Sequence, residues 1–539
     1  MDRRKFLRNT TVAGLAIPAI SINACNTSVE GELEKGSSSD DFELNELSIE
    51  DLQLGMESGK YSSRSITVMY LERIEEIDKN GPMLNSVIEV NPDALAIAES
   101  MDLDRKEGKV RGPLHGIPFM VKDNIDTADK MMTTAGSLAM AGHIAAKDSF
   151  VVKKLREAGA VLIGKTNLSE WANFRSTNSS SGWSSRGGQT KNPYILERNP
   201  IGSSSGSGVA VAANLCAVAI GTETDGSVSC PASANGLVGI KPTVGLISRS
   251  GIIPISHTQD TAGPMTRTVR DAAILLGVMA GIDEKDSITQ ESSGKAYEDY
   301  TQFLDPNGLK GKRIGIDKRM SSSVGQINDI FQIALEQLTK SGAEIVEIPF
   351  NEKISKLGKG EFDVLEYEFK DGLNRYLFNT HADVKSLKDV IEFNKQNKDR
   401  AMPYFQQEIL ESSEEMGDLD SEDYLKAVKM TRDESRKFIS KFMDDNALDA
   451  LSGITIGPGC STDLIYGDRY GGDVYFPPAA AISGYPHITV PCGMVHRLPV
   501  GISFMAKAYQ ESELFKIAYA YEQISKNRIK PEFLPTFFS

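Results

Sequence analysis

Between Ser149 and Ile163 the sequence changes its hydrophobic period, and that change narrows the class of fold open to the chain. Val151, Val152 and Leu155 form one stripe at helical spacing, and Gly159 stands where a helix would end. Ala160-Val161-Leu162-Ile163 then makes a continuous apolar run, short enough to be a strand buried on both faces. A helix laid against a fully buried strand is the unit of an α/β architecture. Two further helices are legible upstream. Ser48 and Asp51 have capping-box spacing ahead of Leu52 and Met56, and Ile66, Met69, Tyr70, Ile74 and Ile77 share one helical face.

With 539 residues, the chain is long enough for one very large α/β domain or two ordinary ones. No run of apolar residues is long enough to span a bilayer. The formal net charge is −15, and removing the basic residues 1–24 makes it about −18, which argues against nucleic acid as a partner. The five cysteines, Cys25, Cys216, Cys230, Cys460 and Cys492, include no CxxC pair, and no His-Glu-x-x-His string occurs, so nothing points to a metal. The four later cysteines read as small core thiols.

Residues 1–24 read as an address. Arg3 and Arg4 precede Phe6 and Leu7, a short apolar stretch runs from Val12 to Ile22, and Ala24-Cys25 follows. This order resembles a twin-arginine export signal ending in a lipobox, and implies an exported bacterial protein, periplasmic or tethered to a membrane through lipidated Cys25. Residues 25–45 are polar, acidic and serine-rich and read as a linker. The remaining span, 46–535, reads as one catalytic domain. Within it, residues 351–449 are rich in Lys, Glu, Asp, Phe and Tyr and are expected to form amphipathic helices, with the charges on a solvated face or the helices capping a pocket.

Three segments carry chemistry. Phe119-Met120-Val121-Lys122 puts a lysine at the end of an apolar, strand-like run. Gly202-Ser203-Ser204-Ser205-Gly206-Ser207-Gly208 is a Gly/Ser loop opening into the helix-compatible run 209–213. Thr222-Glu223-Thr224-Asp225-Gly226-Ser227 follows the apolar run 217–220. A serine hydroxyl is a poor nucleophile until a base takes its proton, and a lysine can act as base only when burial lowers its pKa. A serine just beyond a buried strand lies at the sheet's carboxyl edge, where open α/β sheets bind ligands. Successive N–H groups in the 224–227 turn could hold an oxyanion, worth about 3–4 kcal/mol per donor.

These segments resemble the amidase signature family, in particular its peptide-amidase-like branch. The resemblance implies a large mixed β-sheet flanked by helices on both faces. It also implies a Ser-Ser-Lys relay of Ser227 as nucleophile, Ser203 as bridge after a cis peptide bond, and Lys122 as base. The oxyanion donors it implies are the backbone N–H groups of Thr224, Asp225, Gly226 and Ser227. Asp260-Thr261-Ala262-Gly263-Pro264 and Gly239-Ile240-Lys241-Pro242-Thr243 agree in order, and the match runs from about Ser48 to Lys526. The implied activity is hydrolysis of carboxamide C–N bonds through an acyl-enzyme, with no cofactor, and C-terminal peptide amides lead among substrates. The alternatives are the amidase subunit of a tRNA-dependent amidotransferase, or a surface binding lipoprotein that has lost turnover.

The sequence departs from that family at four positions. Asp225 stands where many members have glycine, Ile201 and Ser205 where glycines are commoner, and Ser229 where arginine often occurs. Ser204 and Ser205 read as plain loop, and the histidines His115 and His487 as satisfied structural groups. Gly202-Ser203-Ser204-Ser205-Gly206 satisfies the G-x-S-x-G pattern of another hydrolase class, but the polar, proline-interrupted residues 196–201 are no buried strand.

Overall fold

Strand β2 (Pro118–Lys122) is buried at every residue and lies between two parallel neighbours, β3 (Val161–Thr166) and β6 (Val218–Glu223). The computed structural model describes residues 42–317, 321–470 and 473–538. Thirteen strands occur among these residues. The others are β1 (Val87–Val90), β4 (Trp183–Ser184), β5 (Gly188–Gln189), β7 (Val238–Lys241), β8 (Thr261–Thr266), β9 (Arg313–Asp317), β10 (Glu344–Ile348), β11 (Ala450–Ile454), β12 (His487–Val495) and β13 (Leu498–Met505). Strands β4 and β5 form a small hairpin sheet, and the other eleven form one mixed sheet in the order β1-β3-β2-β6-β8-β7-β12-β13-β11-β9-β10.

The pairing follows the sequence's apolar pattern. Strands β2, β3, β6, β7 and β8 are buried along their whole length, and β2, β3 and β6 begin with the apolar runs such a position favours. At the far edge, β10 is exposed or half-buried except for Ile348. Because β2 and β6 are parallel neighbours, their C-terminal ends, Lys122 and Glu223, emerge on the same edge of the sheet. This is where the expected catalytic segments were placed, and the pairing brings them together.

The upstream helices form as the sequence indicates. Ile49–Glu57 begins with a full capping box between Ser48 and Asp51, and Phe150–Glu157 ends before Gly159 at φ +80°. The second helix stops at Arg73 and passes into a π-helical turn, Ile74–Lys79, which still buries Ile74 and Ile77. Residues 351–445 form a series of helices joined by short loops, the longest being Glu361–Phe378. Its Leu365, Phe369, Leu373 and Leu377 pack with Phe174, Ile253 and Ile255. The charges of this region do not all lie on a solvated face, because Glu366 and Glu368 are buried. Residues 43–539 form one compact unit.

The Gly/Ser loop enters the helix Ser205–Ala212, every residue of which is buried. Gly206 lets this helix start against the neighbouring backbone. A Cβ there would stand 2.4 Å from the carbonyl oxygens of both Asn167 and Ser86, neither of which can move aside cheaply. Gly206→Ala is therefore expected to cost at least about 1–3 kcal/mol, the usual penalty of overpacking, and to lower the thermal midpoint in a calorimetric scan.

Candidate active site

Lys122 ends β2 with its side chain fully buried, not reaching to solvent. Its Nζ lies 2.7 Å from Ser203 Oγ, 2.8 Å from Thr222 Oγ1 and 3.3 Å from the Thr222 carbonyl oxygen. Asn124 Nδ2 donates to the same Thr222 hydroxyl at 3.0 Å. Burial disfavours the ammonium and brings the lysine pKa down to about 7, while the carboxylates of Asp260 and Glu223 pull the other way. A neutral amine has two N–H donors and one lone pair. The two donors fit the two Thr222 oxygens, leaving the lone pair for the Ser203 proton.

Ser203 follows a cis peptide bond from Gly202 and is fully buried. Ser204 and Ser205 are not plain loop. Ser204 Oγ donates to Thr222 O at 3.1 Å and accepts from Thr222 N at 3.2 Å, which laces the loop to β6. Ser204 N donates to Ser227 O at 3.1 Å, and Ser205 Oγ donates to Ile201 O at 2.7 Å. Buried polar groups require such partners, and these serines supply them to one another's backbones. Ile201, at φ +61°, holds a β-branched residue in the left-handed region. Its N–H is fixed by Asn199 Oδ1 at 2.7 Å, and its side chain packs with Cys230, Ala234 and Ile456.

Ser227 stands four residues beyond β6, in a turn with an unusual division of its polar groups. All four carbonyls of 224–227 accept hydrogen bonds: Thr224 from Gln259 Nε2 at 3.4 Å, Asp225 from Tyr475 Oη at 3.2 Å, Gly226 from Cys230 N at 2.8 Å, and Ser227 from Ser204 N. None of the four N–H groups donates to a partner among the described residues. Buried backbone donors are almost always paired, so a run of four open ones marks a place made for an external acceptor. Glu223 keeps the run from extending, because its carboxylate takes the next two N–H groups, Val228 and Ser229, at 2.8 Å each. Ser229 adds its hydroxyl at 3.0 Å, which is what the residue at this departing position does. Ser227 Oγ itself makes no hydrogen bond among the described residues.

The positive φ of the turn, +76°, falls on Gly226, so Asp225 carries no backbone strain. A Cβ on Gly226 would lie 2.6 Å from Tyr475 Oη. Asp225 Oδ1 is buried without a partner, and burial together with the nearby Glu361 and Glu223 raises its pKa well above the ordinary carboxyl range. Glu361 is itself pushed up to about 7 by burial. Asp260, pushed up to about 6 by burial, accepts from Thr224 Oγ1 at 2.6 Å.

A cavity of about 320 Å³ opens on Ser227 and the turn, walled by Phe174, Ile255, Leu365, Ile456, Tyr470 and Tyr475. His115 and His487 lie outside this set. Each makes one bond, to Met101 O and Ser503 Oγ respectively, and each keeps a buried Nδ1 with no partner, so neither is fully satisfied. Cys216, Cys230, Cys460 and Cys492 are all free thiols. Sequence reasoning gave no role to Thr222, Asn124, Gln259, Glu361 or Tyr475. Only Asp260 carried a signal, at the head of its Asp-Thr-Ala-Gly-Pro string.

A buried lysine bonded to a buried serine, beside a turn whose own serine lines a cavity among four open N–H groups, fits a serine-type acyl-transfer site. The chain belongs to the amidase family, whose model matches residues 65–515. An amidase-family relative in Arabidopsis thaliana is 42% identical over 92% of this chain and 93% of its own length. Another, in Schizosaccharomyces pombe, is 39% identical over 91% and 87%. The crystal structure of the native peptide amidase of Stenotrophomonas maltophilia is 45% identical, covers 91% of this chain and 99% of its own, and superposes with a TM-score of 0.86. A structure of peptide amidase with the competitive inhibitor chymostatin, 46% identical over 90% and 99%, gives the same score. The protein is thus an amide hydrolase of the peptide-amidase-like branch, with the large mixed sheet of that fold.

The same relatives correct one expectation. Twin-arginine and lipobox patterns are bacterial addresses, whereas three curated relatives at 42%, 39% and 38% identity are plant and fungal amidases. A bacterial periplasmic or membrane-anchored lipoprotein therefore does not hold. A basic start followed by a short, mildly apolar run is a loose sequence pattern that arises easily. Residues 1–24 and Cys25 lie outside the described residues.

The buried lysine gives the site a pH signature. Lys122 titrates near its ordinary 10.5 when unfolded and at about 7 when folded, so between these values the unfolded chain binds the extra proton. Its contribution to stability therefore rises from about pH 7 to about pH 10. Lys122→Met lacks this rise. The thermal midpoint of wild type minus that of Lys122→Met is expected to grow as pH is raised from 7 to 9 in parallel melting scans.

Proposed function

We propose that Ser227 is the nucleophile, Ser203 the bridge and Lys122 the base of a carboxamide hydrolase, and that its substrates are C-terminal amides of peptides. The observation that carries the relay is the 2.7 Å contact between a fully buried Lys122 Nζ and Ser203 Oγ. Neutral Lys122 takes the Ser203 proton as Ser203 takes that of Ser227, and Ser227 Oγ bonds to the carbonyl carbon. The carbonyl oxygen gains its charge against the N–H groups of Thr224, Asp225, Gly226 and Ser227. On collapse the C–N bond breaks and the proton returns through Ser203 to the leaving nitrogen, releasing ammonia. Water then attacks the acyl-enzyme, gives its proton to the same relay, and frees the acid and Ser227.

The substrate class rests on the cavity and on likeness. The walls of Phe174, Ile255, Leu365 and Ile456 suit an apolar acyl group, and the peptide amidase relative binds the inhibitor chymostatin. In this reading residues 46–535 are one amidase domain, and 351–449 form a cap that lends Leu365 to the pocket wall. The amidotransferase-subunit reading is the lesser one, since relatives at 42% and 39% identity are amidases.

Ammonia release from peptide carboxamides tests the reading. Ser227→Ala, Ser203→Ala and Lys122→Ala are each expected to lower kcat/KM by about a thousandfold or more. The acid limb of the wild-type kcat/KM profile is expected near pH 7, where Lys122 loses its proton. Full activity in Ser227→Ala would overturn the mechanism.

A further inference from the structure

The loop 255–260 lies between the Thr224–Ser227 turn and the helix Glu361–Phe378, and is bonded to both. On the helix side, Glu368 is buried and accepts from Ser256 Oγ, from Thr258 N at 3.1 Å, from Thr258 Oγ1 at 3.0 Å and from Tyr424 Oη at 2.7 Å. Glu361 accepts from Gln259 Nε2 at 2.8 Å. On the turn side, Asp260 Oδ2 takes the N–H groups of Ile255 and Ser256 at 2.8 Å each, and its other oxygen takes the Thr224 hydroxyl at 2.6 Å.

The turn needs such a hold. Among the described residues its N–H groups have no partner to fix their direction, and it is pinned through its carbonyls and the Thr224 side chain. The bond from Gln259 to Thr224 O is long, at 3.4 Å, whereas the Thr224 hydroxyl to carboxylate bond is short and charge-assisted when Asp260 is ionised. Donors stabilise an oxyanion only when aimed at the place where its charge develops, so a small rotation of Thr224 would forfeit rate without weakening substrate binding.

We propose that Asp260 is a positioning residue for amide hydrolysis: gripping the backbone of Ile255 and Ser256 with one oxygen and the Thr224 hydroxyl with the other, it aims the Thr224 N–H into the oxyanion site. Through Glu368 and Glu361 the same loop is seated on the helical region, so that region supplies the floor on which the turn is set as well as a pocket wall. The proposal rests on the reading of 224–227 as the oxyanion turn.

The test uses the full-length enzyme, a peptide carboxamide substrate, and the variants Thr224→Val, Thr224→Ser, Asp260→Asn and the double variant Thr224→Val with Asp260→Asn. Valine keeps the shape and backbone N–H of Thr224 and removes only the hydroxyl. Thr224→Val is expected to lower kcat about tenfold to hundredfold with KM within about twofold, and Thr224→Ser to recover most of the loss. In the Asp260→Asn background Thr224→Val should add little further loss, because an amide has one acceptor oxygen for three donors and the charge-assisted bond to Thr224 is already gone. Wild-type kcat in Thr224→Val, or losses that multiply independently in the double variant, would overturn the proposal. Ser227→Ala, run alongside, separates the two levels. If it is inactive while Thr224→Val runs at full speed, only the positioning role falls; if it is fully active, the oxyanion reading and this inference fall together.

Discussion

The structure is organised around one costly act, the removal of a lysine side chain from water at the end of a central strand. An ammonium buried without compensation is among the most expensive groups a protein can hold. Here the expense is reduced by giving up the charge. Burial lowers the pKa of Lys122 to about 7, and the neutral amine is held by the two oxygens of Thr222 while facing Ser203. The features that make Lys122 a poor stabilising residue are those that suit it to the proposed role of base. The continuous apolar run of β2, the serine lacing between the Gly/Ser loop and β6, and the helix started by Gly206 all keep water from this amine.

The other half of the site follows the opposite principle. The lysine end has its donors matched to acceptors, whereas the turn after β6 has its acceptors matched and its donors left open. Glu223 sets the boundary between the two regimes by consuming the N–H groups just past Ser227. The acids gathered here do not oppose the site as their number suggests. Glu223 is bonded to N–H groups and a hydroxyl, Asp260 is bonded on both oxygens, and Asp225 is held toward its neutral form.

Much of this was legible in the sequence. The period change at 149–163, the capping box at Ser48 and the three catalytic segments were readable because each is a local pattern enforced by burial or by backbone hydrogen bonding. What escaped was set by contacts distant in sequence. Nothing near Ser204 or Ser205 reveals that they lace a loop to β6, and Glu361 and Glu368 look like surface charges on an amphipathic helix until the loop 255–260 is folded against them. Ile201 and Asp225 stand where glycine is commoner, and local sequence does not say which of them takes a left-handed backbone. The structure put the left-handed geometry on Ile201 and Gly226, and left Asp225 unstrained.

Parallel pairing of β2 with β6 has a consequence for how such a molecule can diversify. The proposed base ends β2, and the proposed nucleophile lies in the turn four residues beyond its parallel neighbour β6, so the two segments start from strand ends one fixed strand spacing apart. The pocket walls come instead from the helix Glu361–Phe378, from residues 201 and 456, and from the tyrosines at 470 and 475. Reactivity and selectivity are therefore inherited through different parts of the chain. Variation in the walls can move the enzyme from one amide to another while the strands continue to deliver the same chemistry.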